Sequence, residues 1–216
     1  MLAPALALLV SGCVERQELF PVPGSGGAGN SSPGGGEATE FHLISIGAHA
    51  QTNPNPELSG LGAAIILRDQ QVLFWGNGGG GTAGRGFSVA VVNPDTHALI
   101  GAVETFDTFA TRMSGGDEAG QLAEFLEQVA DGMLVLLVVG DDAGLTENGV
   151  DGQACEFLTD TGTRAALDQL TALGSSEIDQ YCYRASFAMA AYKGADQAAA
   201  ESLIDRAPAH VTFTLE

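Results

Sequence analysis

From residue 39 onward the chain alternates between short apolar runs and polar turn residues. Residues 41–49, 62–67, 71–75 and 86–92 are apolar runs of strand length, and the polar residues 68–70 between two of them predict a hairpin. The clearest turn is Asn93-Pro94-Asp95-Thr96, where Pro at the second position and Asp at the third favour a type I turn. This half of the chain therefore predicts strands joined by hairpins, with a last strand at residues 98–106.

Two later segments have a helical period. From Leu122, apolar residues recur at i, i+3, i+4 and i+7 within residues 114–131, and a second amphipathic segment spans residues 163–173. Residues 133–139 (MLVLLVV) are too short to span a membrane and are typical of a central strand that is covered on both faces. Two helices on either side of a buried strand are therefore expected.

The end of the chain predicts strands at residues 181–183, 187–192 and 210–215 and a short alanine-rich helix at residues 196–205. Strands outnumber helices and arrive as hairpins, which favours an α+β fold over a doubly wound parallel sheet.

The first forty residues predict where in the cell the protein is located. Residues 1–12 form a short apolar run that is typical of an export signal. Val10-Ser11-Gly12-Cys13 resembles the lipobox of bacterial lipoproteins, in which Cys13 becomes the lipidated N-terminus, with palmitate among the expected acyl chains. An ordinary secretory signal, with Cys13 incidental, is the alternative. Residues 14–38 are rich in Gly, Ser and Pro and predict a flexible tether, so residues 39–216 are expected to form a single domain at a bacterial membrane or cell surface.

Charge narrows the range of partners. The chain has 27 acidic and 8 basic residues, a net charge of −19, which repels nucleic acid and anionic lipid because both are bound through Lys and Arg. With Cys13 assigned to the lipid, Cys155 and Cys182 are an even pair in an oxidising compartment, which favours one disulfide over two buried free thiols.

Motifs for cofactors and catalysis are weak. Gly79-x-Gly81-x-x-Gly84 matches the dinucleotide pattern by letter, but a strand follows it where a helix is needed to hold a pyrophosphate. The four histidines show neither an HExxH motif nor close pairing in sequence, and no G-x-S-x-G elbow is present. We therefore predict no metal, no cofactor and no catalytic residue.

The informative polar residues adjoin apolar runs. Arg85 precedes a strand, Asp141 and Asp142 end one, and Arg184 interrupts the segment that begins at Tyr181. Charges at strand ends converge when the strands share a sheet edge, and Arg–carboxylate groups there offer planar, bidentate hydrogen bonding. The alternative is a structural ion pair or plain surface charge.

These residues also carry a family resemblance, covering about residues 62–194. Residues 84–93 (GRGFSVAVVN), 106–108 (FDT), the strand ending at Asp141, residues 183–187 (YRASF) and Lys193-Gly194 resemble, in order and spacing, the interleukin-like EMT inducer domain family. The resemblance implies twisted antiparallel sheets, sandwich-like, with a few short helices.

The same resemblance implies a function. The family includes secreted cytokine-like proteins and the stem domain of protein O-mannose N-acetylglucosaminyltransferase, which holds a sugar chain without transferring it. Arg85, Asp141 and Arg184 match the sugar-binding residues of that branch, so the resemblance implies a non-catalytic module for a glycan or glycoprotein, with the membrane reached only through the lipid anchor. A protein–protein module with a purely structural charge cluster is the main alternative, and a glycosidase using the acids is a third.

Two departures from the family pattern matter. The segment between Asp142 and Leu173 is longer than usual and inserts a loop at about residues 146–162 that carries Cys155, and Phe187 replaces a tryptophan. A Cys155–Cys182 bridge would pin this insertion beside the expected site. Trp75, the single tryptophan, is expected in the core, with stacking on a sugar as the alternative.

Overall fold

Strands account for most of the regular structure in the part of the chain that a computed structural model describes, residues 38–52, 63–77, 84–109, 116–147 and 155–216. Two helices are described, α1 (Glu118–Gln128) and α2 (Thr161–Ala172), together with short 3₁₀ turns at Ala48–Thr52 and Ile178–Gln180. The strands are β1 Thr39–Gly47, β2 Ala63–Arg68, β3 Gln71–Asn77, β4 Gly86–Val92, β5 Glu104–Phe106, β6 Leu134–Asp141, β7 Ser186–Tyr192, β8 Ala200–Ile204 and β9 Ala209–Leu215.

Strand pairing runs continuously in the order β3-β2-β1-β6-β4-β5, with β9 added to β1, and β7 and β8 added beside β6. All of these pairs are antiparallel except β1 with β6, which run parallel where Ile46 and Gly47 face Gly140 and Asp141. The predicted sheet-rich α+β class is therefore confirmed. The expectation of purely antiparallel pairing is corrected to a mixed sheet, because the end of β1 lies alongside the end of β6.

A buried hydroxyl joins the strands at this junction. The Ser45 hydroxyl on β1 donates to the Val139 carbonyl on β6 at 2.5 Å and accepts from the Phe187 amide on β7 at 2.9 Å. Ser45 is fully buried. One side chain thus satisfies backbone groups of two neighbouring strands, where the regular ladder is interrupted.

β6 is covered on both faces, as its continuous apolar sequence predicts. Successive side chains of a strand point to opposite faces, and both sets are buried here. Val135, Leu137 and Val139 belong to a cluster with residues of α1 and α2, while Leu134, Leu136 and Val138 pack with residues of β1, β2 and β9.

The two helices begin where acidic caps are available. Asp117 accepts a hydrogen bond from the Gly120 amide at the start of α1, and Asp160 accepts one from the Thr163 amide at the start of α2. Such caps satisfy amides that the first turn leaves without partners. α1 lies within its predicted segment, and α2 begins two residues before the predicted residues 163–173 and ends one residue before their end, so both helices are confirmed.

The predictions for the end of the chain need correction. The alanine-rich segment predicted as a helix contains β8, which pairs antiparallel with β7. Alanine favours helices, but intrinsic helix propensity is small and is outweighed here by pairing with a neighbouring strand. Residues 181–183 are not a strand, and the fully buried Tyr181 hydroxyl instead accepts from the Ala143 amide at 2.9 Å. The predicted strand at residues 98–106 shortens to β5 and a single bridge at Leu99.

Cys155 and Cys182 form a disulfide bond, as their even number predicts. The insertion that carries Cys155 folds back on itself, because Thr146 and Phe157 form an isolated antiparallel bridge. The disulfide therefore connects this folded-back insertion to the turn before β7.

Residues 1–13, the predicted signal and lipobox, and residues 14–37 of the predicted tether lie outside the described residues. Gly36–Glu216 form one unit. Among the helices that the structure describes, none combines the length and the apolar character of a bilayer-spanning segment.

Candidate functional site

The antiparallel order β4-β6-β7 brings the predicted site residues to one sheet edge. Gly86 at the start of β4 faces Gly140 near the end of β6, and β7 runs antiparallel to β6 on its other side. Arg85 directly precedes β4, Asp141 ends β6, and Arg184 lies two residues before β7. The structure therefore brings together the three residues that the sequence singled out.

The end of β1 braces this edge from a fourth strand. Gly47 lies opposite Asp141, its amide donates to the Ser186 hydroxyl at 2.8 Å, and the His49 amide donates to the Arg184 carbonyl at 3.2 Å. A Cβ atom on Gly47 would lie 2.3 Å from the Arg184 carbonyl oxygen. A glycine is therefore required for the backbone that carries Arg184 to approach this closely.

The backbone at Gly86 explains why the Gly-Arg-Gly motif needs its second glycine. Gly86 has φ of 83°, and a Cβ atom there would lie 2.1 Å from the Phe106 carbonyl oxygen. Left-handed backbone favours glycine, and the close approach of Phe106 brings the residue after it, Asp107, beside Arg85.

Arg85 and Asp107 form a two-pronged ion pair. Arg85 Nε donates to Asp107 Oδ1 at 2.8 Å, and Nη2 donates to Oδ2 at 2.6 Å. The hydrogen bond to Asp107 raises the pKa of Arg85 against the opposing effect of burial. The guanidinium carbon also lies 4.9 Å from the Phe109 ring centroid. These contacts fix the guanidinium plane and leave its Nη1 hydrogens for other acceptors.

Asp141 lies in the field of both arginines without bonding to either. Burial raises the pKa of Asp141, while the charges of Arg184 and Arg85 oppose this rise and that of Asp107 adds to it. Within the described residues, no hydrogen bond or ion pair joins the Asp141 carboxylate to a guanidinium. The carboxylate therefore retains acceptor positions for a ligand.

Arg184 is held by an aromatic ring. Its guanidinium carbon lies 4.8 Å from the Tyr183 ring centroid, and the Tyr183 ring in turn packs edge-on against His49, with centroids 6.1 Å apart. The side chain is half-buried, and no carboxylate among the described residues lies within ion-pair distance of it. Its charge lowers the pKa of Asp141, and no hydrogen bond within the described residues uses its guanidinium donors.

The second acid of the site is Asp107, which sequence reasoning missed. Asp142, which follows Asp141 at the strand end, is buried, and its Oδ1 accepts from the Gly144 amide within its own turn. Asp107 instead pairs with Arg85. The available signal was its position in Phe106-Asp107-Thr108, one of the segments that carry the family resemblance.

The four charged residues of this edge, Arg85, Asp107, Asp141 and Arg184, are each partly exposed. A cavity of about 510 Å³ lies elsewhere, where Asp117 and Asp160 cap the two helices, and none of the site residues lines it. Arg85 is 28% exposed, and the described parts of the insertion leave Asp141 and Arg184 partly exposed. Trp75, expected in the core, is 67% exposed on β3, because its side chain lies on the face of β3 turned away from the core.

A family model matches the segment of the chain that contains these residues. The model for the interleukin-like EMT inducer matches residues 85–195, just over half of the chain. The chain belongs to this family. No curated protein matches the chain. The matched interleukin-like EMT inducer region contains Arg85, Asp141 and Arg184 together with Asp107, while β1, β2, β3, β8 and β9 lie outside it.

Proposed function

We propose that this interleukin-like EMT inducer protein is a non-catalytic carbohydrate-binding module. The observation that carries the proposal is that the Asp141 carboxylate lies at a partly exposed sheet edge, within electrostatic range of two guanidinium groups and bonded to neither among the described residues. Arg85 is oriented by Asp107, and Arg184 is oriented by Tyr183. The site therefore offers one acceptor group flanked by two oriented donors.

This arrangement suits vicinal sugar hydroxyls. A hydroxyl donates to the Asp141 carboxylate while its oxygen accepts from Arg85 or Arg184. The charges of Asp107, Asp141 and Asp142 all act on Arg85, so the acids at least balance the two arginines and the site favours a neutral ligand over an anionic one. The chain carries a net charge of −19, which disfavours a strongly anionic glycan.

The expected affinity for one sugar unit is low. Three charge-assisted contacts of about 1.5–3 kcal/mol each, reduced by the free energy of association, give roughly millimolar to high-micromolar binding. Repeated sugars or many copies of the protein on one membrane would raise the apparent affinity through avidity. We propose such an arrangement here, with Cys13 lipidated and the domain tethered to a bacterial membrane or cell surface. The support for this anchor is the sequence Val10-Ser11-Gly12-Cys13.

A multivalent glycan array, followed by saturation-transfer NMR on each hit, tests the binding proposal. The full chain is used with Cys13→Ser, which prevents lipidation and oxidation of this thiol. Arg184→Gln removes the arginine that is not committed to an internal ion pair, and Arg164→Gln, an exposed arginine of α2, is the matched control. We expect at least a tenfold loss for Arg184→Gln, because one charge-assisted contact is worth about 1.5–3 kcal/mol, and no change for the control.

The proposal fails if the wild-type chain binds no saccharide, or if Arg184→Gln and Arg164→Gln bind every hit equally well. The anchor is tested separately by labelling cells with radioactive palmitate. A chain that incorporates palmitate equally with Cys13 and with Cys13→Ala is not anchored through this residue.

Exposed apolar side chains favour a second candidate function. Trp75 and Val72 on β3 are 67% and 59% exposed, and exposed aromatic residues are enriched at protein interfaces. A cytokine-like protein–protein module would use this face of β3. Loss of a protein ligand in Trp75→Ser, with saccharide binding absent, would favour that function.

A further inference from the structure

The pairing of β1 with β9 brings two histidines together that are far apart in sequence. Ile44 faces His210, and His42 faces Thr212, so the two histidines are diagonal neighbours on the outer face of the sheet. His42 Nδ1 lies 3.3 Å from His210 Nε2. The sequence gives no sign of this pair because their proximity depends on the register of two distant strands.

Glu40 determines which ring nitrogen of a neutral His42 carries the proton. Its Oε1 lies 2.5 Å from His42 Nε2, so the proton of a neutral His42 belongs on Nε2, where it is donated to the carboxylate. The lone pair then lies on Nδ1, the atom next to His210 Nε2 and to the Thr212 hydroxyl, which is 3.3 Å away. A carboxylate behind a histidine is the usual support for a metal-binding imidazole, because it fixes the tautomer and the ring orientation.

The spacing of the two nitrogen atoms fits one metal ion. Nitrogens 3.3 Å apart, each about 2.05 Å from a shared ion, subtend roughly 107° at that ion, close to the tetrahedral angle of zinc sites. The rings are now 28° from parallel with centroids 5.5 Å apart, so coordination requires one ring to turn. His210 is exposed, so we expect its ring to be able to rotate.

We propose that His42 and His210 bind a divalent late first-row transition-metal ion, with Glu40 positioning His42. Imidazole ligands suit Zn²⁺, Ni²⁺ and Cu²⁺, and Cu²⁺ binds most tightly by the Irving–Williams order. No three His, Cys, Asp or Glu side chains are grouped to hold an ion within the described residues. Water therefore completes the coordination. This metal site is separate from the proposed carbohydrate site, and the test of one does not depend on the other.

Calorimetric titration with Zn²⁺ and electron paramagnetic resonance with Cu²⁺ test the site. The full chain is used without an affinity tag and with Cys13→Ser, because a tag or a free thiol would compete for the ion. His42→Gln and His210→Gln each remove one ligand, and His97→Gln is the matched control. We expect one ion per chain, hyperfine coupling to two imidazole nitrogens, and at least a tenfold loss of affinity in either ligand variant. Glu40→Gln is expected to weaken binding by about 10–100-fold, as is usual when a group that hydrogen-bonds to a metal-binding histidine is replaced.

Equal binding by wild type and His210→Gln would overturn the proposal, as would equal losses in His97→Gln and His42→Gln. Absence of binding by the wild-type chain would also overturn it. His42 and His210 lie on the outer face of the sheet, so both variants are expected to fold, and circular dichroism with a thermal melt in the absence of metal checks this. A structural role alone would lower the melting temperature of the variants without the loss of nitrogen coupling.

Discussion

Asp141 and Arg184 both have left-handed backbone, with φ of 60° and 62°, at adjacent ends of β6 and β7. Left-handed backbone is unfavourable by about 1–2 kcal/mol for a residue other than glycine. The two side chains form no ion pair with each other within the described structure, so direct bonding between them does not offset this strain. Strained residues of this kind cluster at functional sites, which agrees with a binding role for this sheet edge.

Replacing the acid of this pair is expected to stabilise the fold. Asp141→Asn removes a carboxylate whose ionised form is disfavoured mainly by burial, and asparagine tolerates left-handed backbone well. We expect the melting temperature at pH 7 to rise or stay the same while saccharide binding falls at least tenfold. Thermal melts and the glycan array measure the two effects.

The sign of the pH dependence follows from the raised pKa of Asp141. The pKa of Asp141 is about 3.8 in the unfolded chain and higher in the folded chain. The ionised carboxylate therefore lowers the free energy of unfolding at any pH above the folded pKa. The advantage of Asp141→Asn should therefore be full at pH 7 and disappear below pH 3.8. A variant that is less stable than wild type at pH 7 would show that Asp141 braces the fold instead.

Arg85 is expected to contribute to stability as well as to binding. Its partner Asp107 is only 11% exposed, so Arg85→Ala leaves a carboxylate with little access to water. We expect Arg85→Ala to lower the free energy of unfolding by about 1–3 kcal/mol. A double-mutant cycle with Asp107→Ala, measured by urea denaturation, should give a coupling of about 0.5–3 kcal/mol.

A second double-mutant cycle, between Arg184 and Asp107, is the control for the cycle between Arg85 and Asp107. Arg184 has no carboxylate partner within the described residues, so Arg184→Ala combined with Asp107→Ala should be additive. Additive behaviour of Arg85 with Asp107 would mean that the pair contributes nothing measurable, as many exposed ion pairs do.

Local sequence patterns predicted the elements whose signal lies within one segment. The apolar run at residues 133–139 predicted β6, and the period that starts at Leu122 predicted α1. The strand-end positions of Arg85, Asp141 and Arg184 allowed them to meet at one edge, and the family resemblance singled them out as a set. Their convergence depends on β4 and β7 both pairing with β6.

Features that depend on the register of distant strands were not predicted. His42 meets His210 only because β9 pairs with β1 at a particular register, and β8 is a strand because β7 offers it a partner. The ion pair of Arg85 with Asp107 depends on β5 lying beside β4. In each case the deciding interaction is tertiary, and local propensity is too weak to oppose it.

The disulfide is expected to stabilise the domain chiefly by restricting the unfolded chain. Cys155 and Cys182 are separated by 27 positions, for which the chain-entropy model gives roughly 3–4 kcal/mol. In urea denaturation, the double variant Cys155→Ala/Cys182→Ala should have a free energy of unfolding that is lower by this amount. The wild-type chain in reducing buffer should show the same decrease. A loss below about 1 kcal/mol in both would mean that the folded insertion keeps its place without the bond.

Lys193, the single lysine of the chain, joins the end of β7 to both helices. Its Nζ donates to the Leu126 carbonyl in the last turn of α1 at 2.8 Å and to Gln169 Oε1 on α2 at 3.3 Å. A cation at a helix C-terminus meets the negative end of the helix dipole and satisfies a carbonyl that the helix leaves without a partner.

We expect Lys193→Met, which keeps the aliphatic stem, to lower the free energy of unfolding by about 1–2 kcal/mol. Lys193→Arg, which keeps the charge, should lose less. Urea denaturation at low and high salt measures both, and the difference between them should shrink as salt screens the charge. Because Lys193 contacts the helices and not the Arg85–Asp141–Arg184 edge, saccharide binding per folded molecule should stay unchanged. Equal stability of Lys193→Met and wild type would show that water satisfies the Leu126 carbonyl equally well.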